Sequence, residues 1–239
     1  GKDNRADRLI TYAASFGNTT LEKLEKYQKA GEVGNLLKAF DAISVRDANS
    51  GSIVEQLTGE KPVYNLDPVL TYDYMNCCDR IPQIEATEKY LILYAYAWRI
   101  SNEEADWIAE YAKKKNLKVY AIGGIQKCAD RFVDCSPFEV LAYFRNAEEV
   151  ITDTFHGSIF SVITHRPFTT LIRKSVGNSY GNEEKLSDLL NRLGLTERMT
   201  TKVEDAKRVN QESVDYEKVD ELLKAHREIA KNYLRENLL

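Results

Sequence analysis

The sequence predicts an α/β protein of Rossmann-like parallel sheets with flanking helices, and three observations carry that prediction. Apolar, β-branched and aromatic runs alternate with amphipathic segments along most of the 239 residues. Several amphipathic segments begin with a capping signature. The chain then closes on a long helical pattern with one apolar face. Such alternation places strands in parallel with helical crossovers between them, and sheets of this kind bind ligands beyond the carboxyl ends of their strands.

Taken in order, "RLITYAAS" (8–15) reads as the first strand. In "NTTLEKLEKYQKAG" a helix is expected with Thr19 as N-cap, Glu22 three residues on, Leu21, Leu24 and Tyr27 as its apolar stripe, and Gly31 as its stop. "FDAISVR" (40–46) gives a second strand, Ser52 and Glu55 a capping box for a helix around "IVEQLTG", and "KPVYNL" a third strand. A turn-rich connector, "DPVLTYDYMNCCDRIPQIEATE", follows before the rhythm restarts at "KYLILYAY" (89–96). A first domain is therefore expected over 1–75 and a second over 85–239.

In the second domain, Ser101 and Glu104 box a helix whose stripe is Ala105, Ile108, Ala109 and Ala112, and the strand "LKVYAIGG" comes next. Ser136, Pro137 and Glu139 open another helix. The strand "EEVITD", a helix from His156, the strand "PFTTLI", and a helix capped by Asn182 and stopped at Gly194 complete the series. The last segment keeps Tyr216, Val219, Leu222, Leu223, His226, Ile229, Ala230 and Tyr233 largely on one face, which makes it a long terminal helix and reads His226 as packing.

Bulk properties narrow the function. A formal net charge of −4 supplies no global basic field, which disfavours strong non-specific binding to nucleic acid. The longest apolar run, "LILYAYAW", falls far short of the roughly 20 residues a bilayer requires, and "GKDNRADR" lacks the apolar core of a signal peptide, so a cytoplasmic location without a transmembrane segment is expected. Cys77, Cys78, Cys128 and Cys135 have neither zinc-ligand spacing nor a disulfide-scaffold pattern, so free thiols and no metal site are expected.

The strand-end rule selects Ser15 and Gly17, Arg46 and Asp47, Ala95 to Arg99, Gly123 and Gly124, and the segment Asp153 to Ser158. "SFGN" and "AIGG" read either as tight turns that need glycine or as places where backbone approaches a phosphate; neither is a complete P-loop or GxGxxG. Arg46 ends an apolar strand, where its planar fork can grip a carboxylate or phosphate, or pair with Asp47 or another surface carboxylate. His156 sits where a helix start favours an anion, although spacing alone favours a polar core residue bonded to backbone. No GxSxG elbow is present, which disfavours a Ser/His/Asp hydrolase.

Taken together, "TYAASFGN", "AISVRDANSGSIVEQLTG", "LDPVL" and "VITDTFHGSIFSVITHRPF" resemble the polysaccharide pyruvyl transferase family, in the same order and at plausible spacing. The resemblance implies a GT-B-like two-domain architecture and transfer of a pyruvyl group from phosphoenolpyruvate to sugar hydroxyls, forming a ketal and releasing phosphate. It implies no cofactor, phosphoenolpyruvate being the donor substrate, and as acceptor a sugar or a lipid-linked oligosaccharide. It makes Arg46 a clamp on the donor's carboxylate or phosphate and His156 the motif histidine of the same pocket. Asp153, Thr154, Gly157 and Ser158 then line that pocket, with Ser15, Gly17, Gly123 and Gly124 on neighbouring loops. Many relatives carry an arginine two places before the histidine, where Thr154 stands here. Relatives also have a longer stretch before "AASFG", so the N-terminal domain is expected to be truncated, leaving 1–75 as its last strands with a sheet edge open to homodimerisation. Two other readings stay open: a nucleotide-sugar glycosyltransferase or epimerase of similar architecture, and a non-catalytic binding module.

Overall fold

The computed structural model describes residues 4–85, 87–174 and 181–239. It is a mixed α/β structure of parallel sheets flanked by helices, and it divides into two compact units, Gly1–Tyr72 with Lys218–Leu239, and Asp73–Glu217.

The first unit contains α1 (Leu21–Lys26), α2 (Ala30–Leu37), β1 (Ser44–Val45), α3 (Ala48–Thr58), β2 (Val63–Tyr64) and α4 (Pro68–Thr71). β1 and β2 are parallel, and the segment expected as the first strand adds two parallel bridges, Ile10 to Ala42 and Ala14 to Val45. Leu37, Val45 and Val54 form its small core, with Phe16, Val33, Ile43 and Leu57 packed around them.

Two helix expectations in this unit are corrected. The helix expected to run from Thr19 to Gly31 is broken in two, because Gln28 adopts a left-handed φ of +55°. Its N-cap is Thr20, whose hydroxyl accepts from Lys23 N at 3.3 Å, and Gly31 lies inside α2. The Ser52–Glu55 box is replaced by an earlier start: Asp47 caps α3, its Oδ1 accepting from Ser50 N at 2.8 Å, while Ser52 within the helix accepts from Gln56 at 2.7 Å.

The second unit contains α5 (Tyr74–Cys77), β3 (Tyr90–Tyr94), α6 (Asn102–Lys114), β4 (Lys118–Ile122), β5 (Arg131–Phe132), α7 (Pro137–Asn146), β6 (Glu149–Thr152), α8 (Phe155–Ile163), β7 (Phe168–Leu171), α9 (Glu183–Arg192), β8 (Met199–Thr200) and α10 (Ala206–Val209). The capping boxes Ser101–Glu104 and Ser136–Glu139 are both complete. The strands form one parallel sheet in the order β5-β4-β3-β6-β7-β8. Buried on both faces, β3 is apolar throughout, and Leu91, Leu93, Ile108, Val119, Ile151 and Leu171 share one core cluster.

The terminal helix, α11 (Tyr216–Leu238), was expected in the second domain, but residues 218–239 group with the first unit. Tyr233 explains this: its hydroxyl donates to Thr11 O at 2.7 Å and its ring stacks on Tyr12 at 6.4 Å. Arg227 adds a bond to Leu70 O at 3.0 Å. Among the described residues, no helix is long and apolar enough to cross a membrane.

Candidate functional site

In the first unit the carboxyl ends of the short parallel strands gather the expected residues. Arg46 follows β1, and its backbone N–H donates to Ala14 O at 3.0 Å, which fixes the loop after the first extended segment beside it. Its guanidinium donates to Asp67 Oδ2. Asp67 is buried and also caps α4, its Oδ1 accepting from Val69 N at 3.0 Å. The expected alternative partner, Asp47, is instead committed to α3.

The Ser15–Gly17 loop is closed on itself and on α3. Ser15 Oγ accepts from Gly17 N at 3.0 Å, and Phe16 N donates to Ser50 Oγ at 2.8 Å. Gly17 has a φ of +64°, so the tight-turn reading of this glycine describes what it does, and its N–H already has a partner.

In the second unit the strand order reverses between β3 and β6, since the chain builds outward through β4 and β5 and then returns to add β6, β7 and β8 on the other side. The carboxyl edge at such a reversal is where doubly wound sheets bind ligands. Asp153 stands there, directly after β6. It is fully buried, with Arg99 Nε 3.3 Å and Arg173 Nε 3.9 Å from its Oδ2. Neither carboxylate oxygen receives a hydrogen bond of standard geometry. Burial raises the Asp153 carboxyl above the ordinary carboxylate range, against the opposing pull of Arg99 and Arg173.

Arg173, just beyond β7, is held in turn by a two-pronged contact to Glu104 at 2.6 and 3.1 Å. Asn182 locks the same corner. It stands at the N-cap position of α9 but makes no cap bond; its amide donates to Asp153 O at 2.7 Å and Leu171 O at 3.1 Å, and its oxygen accepts from Arg173 N at 2.7 Å.

His156 is the second residue of α8 and is half-buried. Its ring lies 5.7 Å from that of Phe155 and 6.0 Å from that of Phe160, and Phe160 stacks on Tyr94 at the end of β3. Thr154 is the N-cap of α8, its Oγ1 accepting from Gly157 N at 2.9 Å and lying 3.1 Å from Thr152 Oγ1. Gly157 is needed because the helix start presses on β6: a Cβ there would meet Thr152 Oγ1 at 2.1 Å.

Two expected ligand contacts are thus already committed within the protein. The Gly157 N–H belongs to Thr154, and the Ser158 hydroxyl is buried, donating to Thr154 O at 3.3 Å and bonded to Thr170 Oγ1 at 2.9 Å. Gly123 and Gly124 serve packing. A Cβ on Gly123 would lie 2.3 Å from the Tyr94 ring, and one on Gly124 2.3 Å from Ala97 N.

Among the site residues, Arg46, Ser15 and Gly17 belong to the first unit, and Asp153, Thr154, His156, Gly157, Ser158, Gly123 and Gly124 to the second. Sequence reasoning did not select Asp67, Glu104 or Arg173, and reached Arg99 only as the end of a strand-end loop. "LDP" was the one visible signal for Asp67, an acid placed to cap ahead of a proline.

A model of the polysaccharide pyruvyl transferase family matches residues 3–175, and the chain belongs to that family. No curated protein sequence matches it. Among solved structures, a Thermobaculum terrenum O-GlcNAc transferase mutant is 15% identical at a TM-score of 0.40, over 83% of this chain and 41% of that one. The glycotransferase of kitacinnamycin is 13% identical at 0.49, over 90% and 60%. The UDP-GlcNAc 2-epimerase of Methanocaldococcus jannaschii is 12% identical at 0.47, over 84% and 80%. The chain therefore spans less than two thirds of the length of the first two.

Proposed function

We propose that this chain serves the transfer of a pyruvyl group from phosphoenolpyruvate to hydroxyls of a sugar in polysaccharide biosynthesis, forming a ketal and releasing phosphate. The observation that carries the reading is membership of the pyruvyl transferase family over residues 3–175, a span that contains both Arg46 and His156.

The reaction is redox-neutral. The methylene carbon of phosphoenolpyruvate gains a proton and becomes a methyl group; C2 forms bonds to two sugar oxygens and loses its bond to the phosphate oxygen. One hydroxyl proton balances the new methyl hydrogen and the other leaves with phosphate. Chemistry of this kind needs a group that moves protons near neutral pH and fixed cations for a carboxylate and a departing phosphate. His156 is assigned the proton transfer and Arg46 the donor's negative charge. Arg99 and Arg173, at the carboxyl edge, are engaged with Asp153 and Glu104 in the unit that carries His156.

The test follows phosphate release and the ketal methyl signal by NMR, with phosphoenolpyruvate and a panel of saccharide acceptors. Sugar-dependent release together with a new methyl singlet is expected, and His156→Ala abolishes both. Sugar-dependent turnover of a nucleotide sugar instead of phosphoenolpyruvate would overturn the reading.

A further inference from the structure

The loop after β3 presents an indole to solvent at the carboxyl edge of the sheet in the second unit. Trp98 is 97% exposed and adopts a left-handed φ of +68°, a conformation that a bulky side chain rarely takes. Tyr96 in the same loop is 52% exposed, and Ile125, from the loop after β4, is 73% exposed.

The loop is braced from below. Gln126, itself buried, donates to Ala95 O at 3.1 Å and Tyr96 O at 3.2 Å, and Gly124 lets the two loops touch, since a Cβ there would lie 2.8 Å from Ala95 O. Arg99 ties the far end: its backbone N–H donates to Tyr96 O at 3.3 Å and its side chain pairs with Asp153. The exposed indole is thus held by a buried polar brace in a strained backbone, next to the Asp153 ion cluster.

We propose that Trp98, on a loop that also exposes Tyr96 and touches the loop of Ile125, is a stacking platform for a pyranose ring of the acceptor; this rests on the reading of the protein as one that acts on sugar hydroxyls. A pyranose has a C–H face that covers apolar surface and meets the electron-rich face of an indole, and a rim of hydroxyls. Arg99, whose guanidinium lies 5.8 Å from the Tyr96 ring centre, offers donors to such a rim. The three exposed apolar side chains stand on two loops, whereas a specific protein interface takes about 20–30 residues a side. A small, flat, hydroxylated ligand fits that scale.

The chain has two tryptophans, Trp98 and Trp107, so indole 15N–1H spectra with Trp98→Phe and Trp107→Phe assign both signals. Methyl glycosides of glucose, galactose, mannose and N-acetylglucosamine are titrated in the millimolar range, uridine monophosphate in a parallel arm, and phosphoenolpyruvate in a third. The expected result is that at least one glycoside shifts the Trp98 signal saturably while Trp107 stays still. Trp98→Ala then abolishes saturable glycoside binding by calorimetry, and Trp98→Phe keeps it within about 3-fold. The proposal is overturned if no glycoside moves the Trp98 signal, if only uridine monophosphate does, or if the signal moves only with protein concentration, as for contact with a second copy. Glycoside binding at Trp98 without phosphoenolpyruvate binding leaves the platform standing and removes the pyruvyl-transfer reading. Phosphoenolpyruvate binding with a silent Trp98 does the reverse.

Discussion

The guanidinium of Arg46 donates to one carboxylate oxygen of Asp67, and the other oxygen of that carboxylate caps α4 through Val69 N at 3.0 Å. Two separate sequence blocks, "ISVRD" and "LDP", are thereby one device. Asp67 is nearly fully buried while Arg46 keeps 27% of its side chain exposed, so the acid holds the arginine and leaves part of it facing outward.

That arrangement predicts different outcomes for its two members. Arg46→Lys leaves a point charge without the planar fork, and kcat/KM for transfer falls about 100-fold, as read by phosphate release. Asp67→Asn keeps the cap but weakens the hold on Arg46. Its expected signature is a fall of roughly 10-fold in kcat/KM with Tm lowered by only about 2–4 °C. Unchanged kinetics in Asp67→Asn would sever the link between pairing and function.

Asp153 predicts a pH dependence of stability. Its carboxyl is raised above its ordinary value by burial, so the folded protein holds this proton more tightly than the unfolded chain. Stability contributed by the protonated form is fully present below the unfolded value and is lost as pH rises through the folded one. Denaturant unfolding across that range, compared with Asp153→Asn, should show wild type losing stability relative to the variant as pH rises. A difference that runs the opposite way contradicts the assignment.

Thr154 predicts that placing an arginine at this position does harm. The side chain is 3% exposed and caps α8, so Thr154→Arg removes a cap worth about 1 kcal/mol and forces a long cation into a closed space. Thermal unfolding should drop by about 4–8 °C with no gain in transfer. A variant as stable as wild type would show that the position is more open than the packing indicates.

Two glycines give a paired prediction. Gly157→Ala sets a Cβ 2.1 Å from Thr152 Oγ1 and should cost about 1–3 kcal/mol, whereas nothing lies within 4 Å of a Cβ on Gly31, inside α2, where Ala gains about 0.5–1 kcal/mol of helix propensity. Urea unfolding of both variants reads the opposite signs directly.

What the sequence makes legible is local. Ser101 with Glu104, and Ser136 with Glu139, are boxes three residues across, and the apolar run of β3 marks a strand covered on both faces; each carries its own signal. The Ser52–Glu55 pattern misleads because Asp47, nearer the strand end, caps first, and nothing in "KYQKAG" marks Gln28 as the left-handed residue that divides α1 from α2. β5 and β8, two residues each, are too short for any periodicity. His156 and Arg46 were visible as motif residues, but the cluster of Arg99, Glu104, Asp153 and Arg173 comes from four places along the chain that only the sheet topology joins. The same holds for the commitment of the Ser158 hydroxyl, on α8, to Thr170 on β7 twelve residues away.

The most direct measurement is calorimetric titration of phosphoenolpyruvate onto the wild-type chain, His156→Ala and Arg46→Ala. Saturable binding to wild type, weakened about 10-fold or more in each variant, is the predicted result. Equal binding to all three, or no binding to wild type while a nucleotide sugar titrates to saturation, would contradict it.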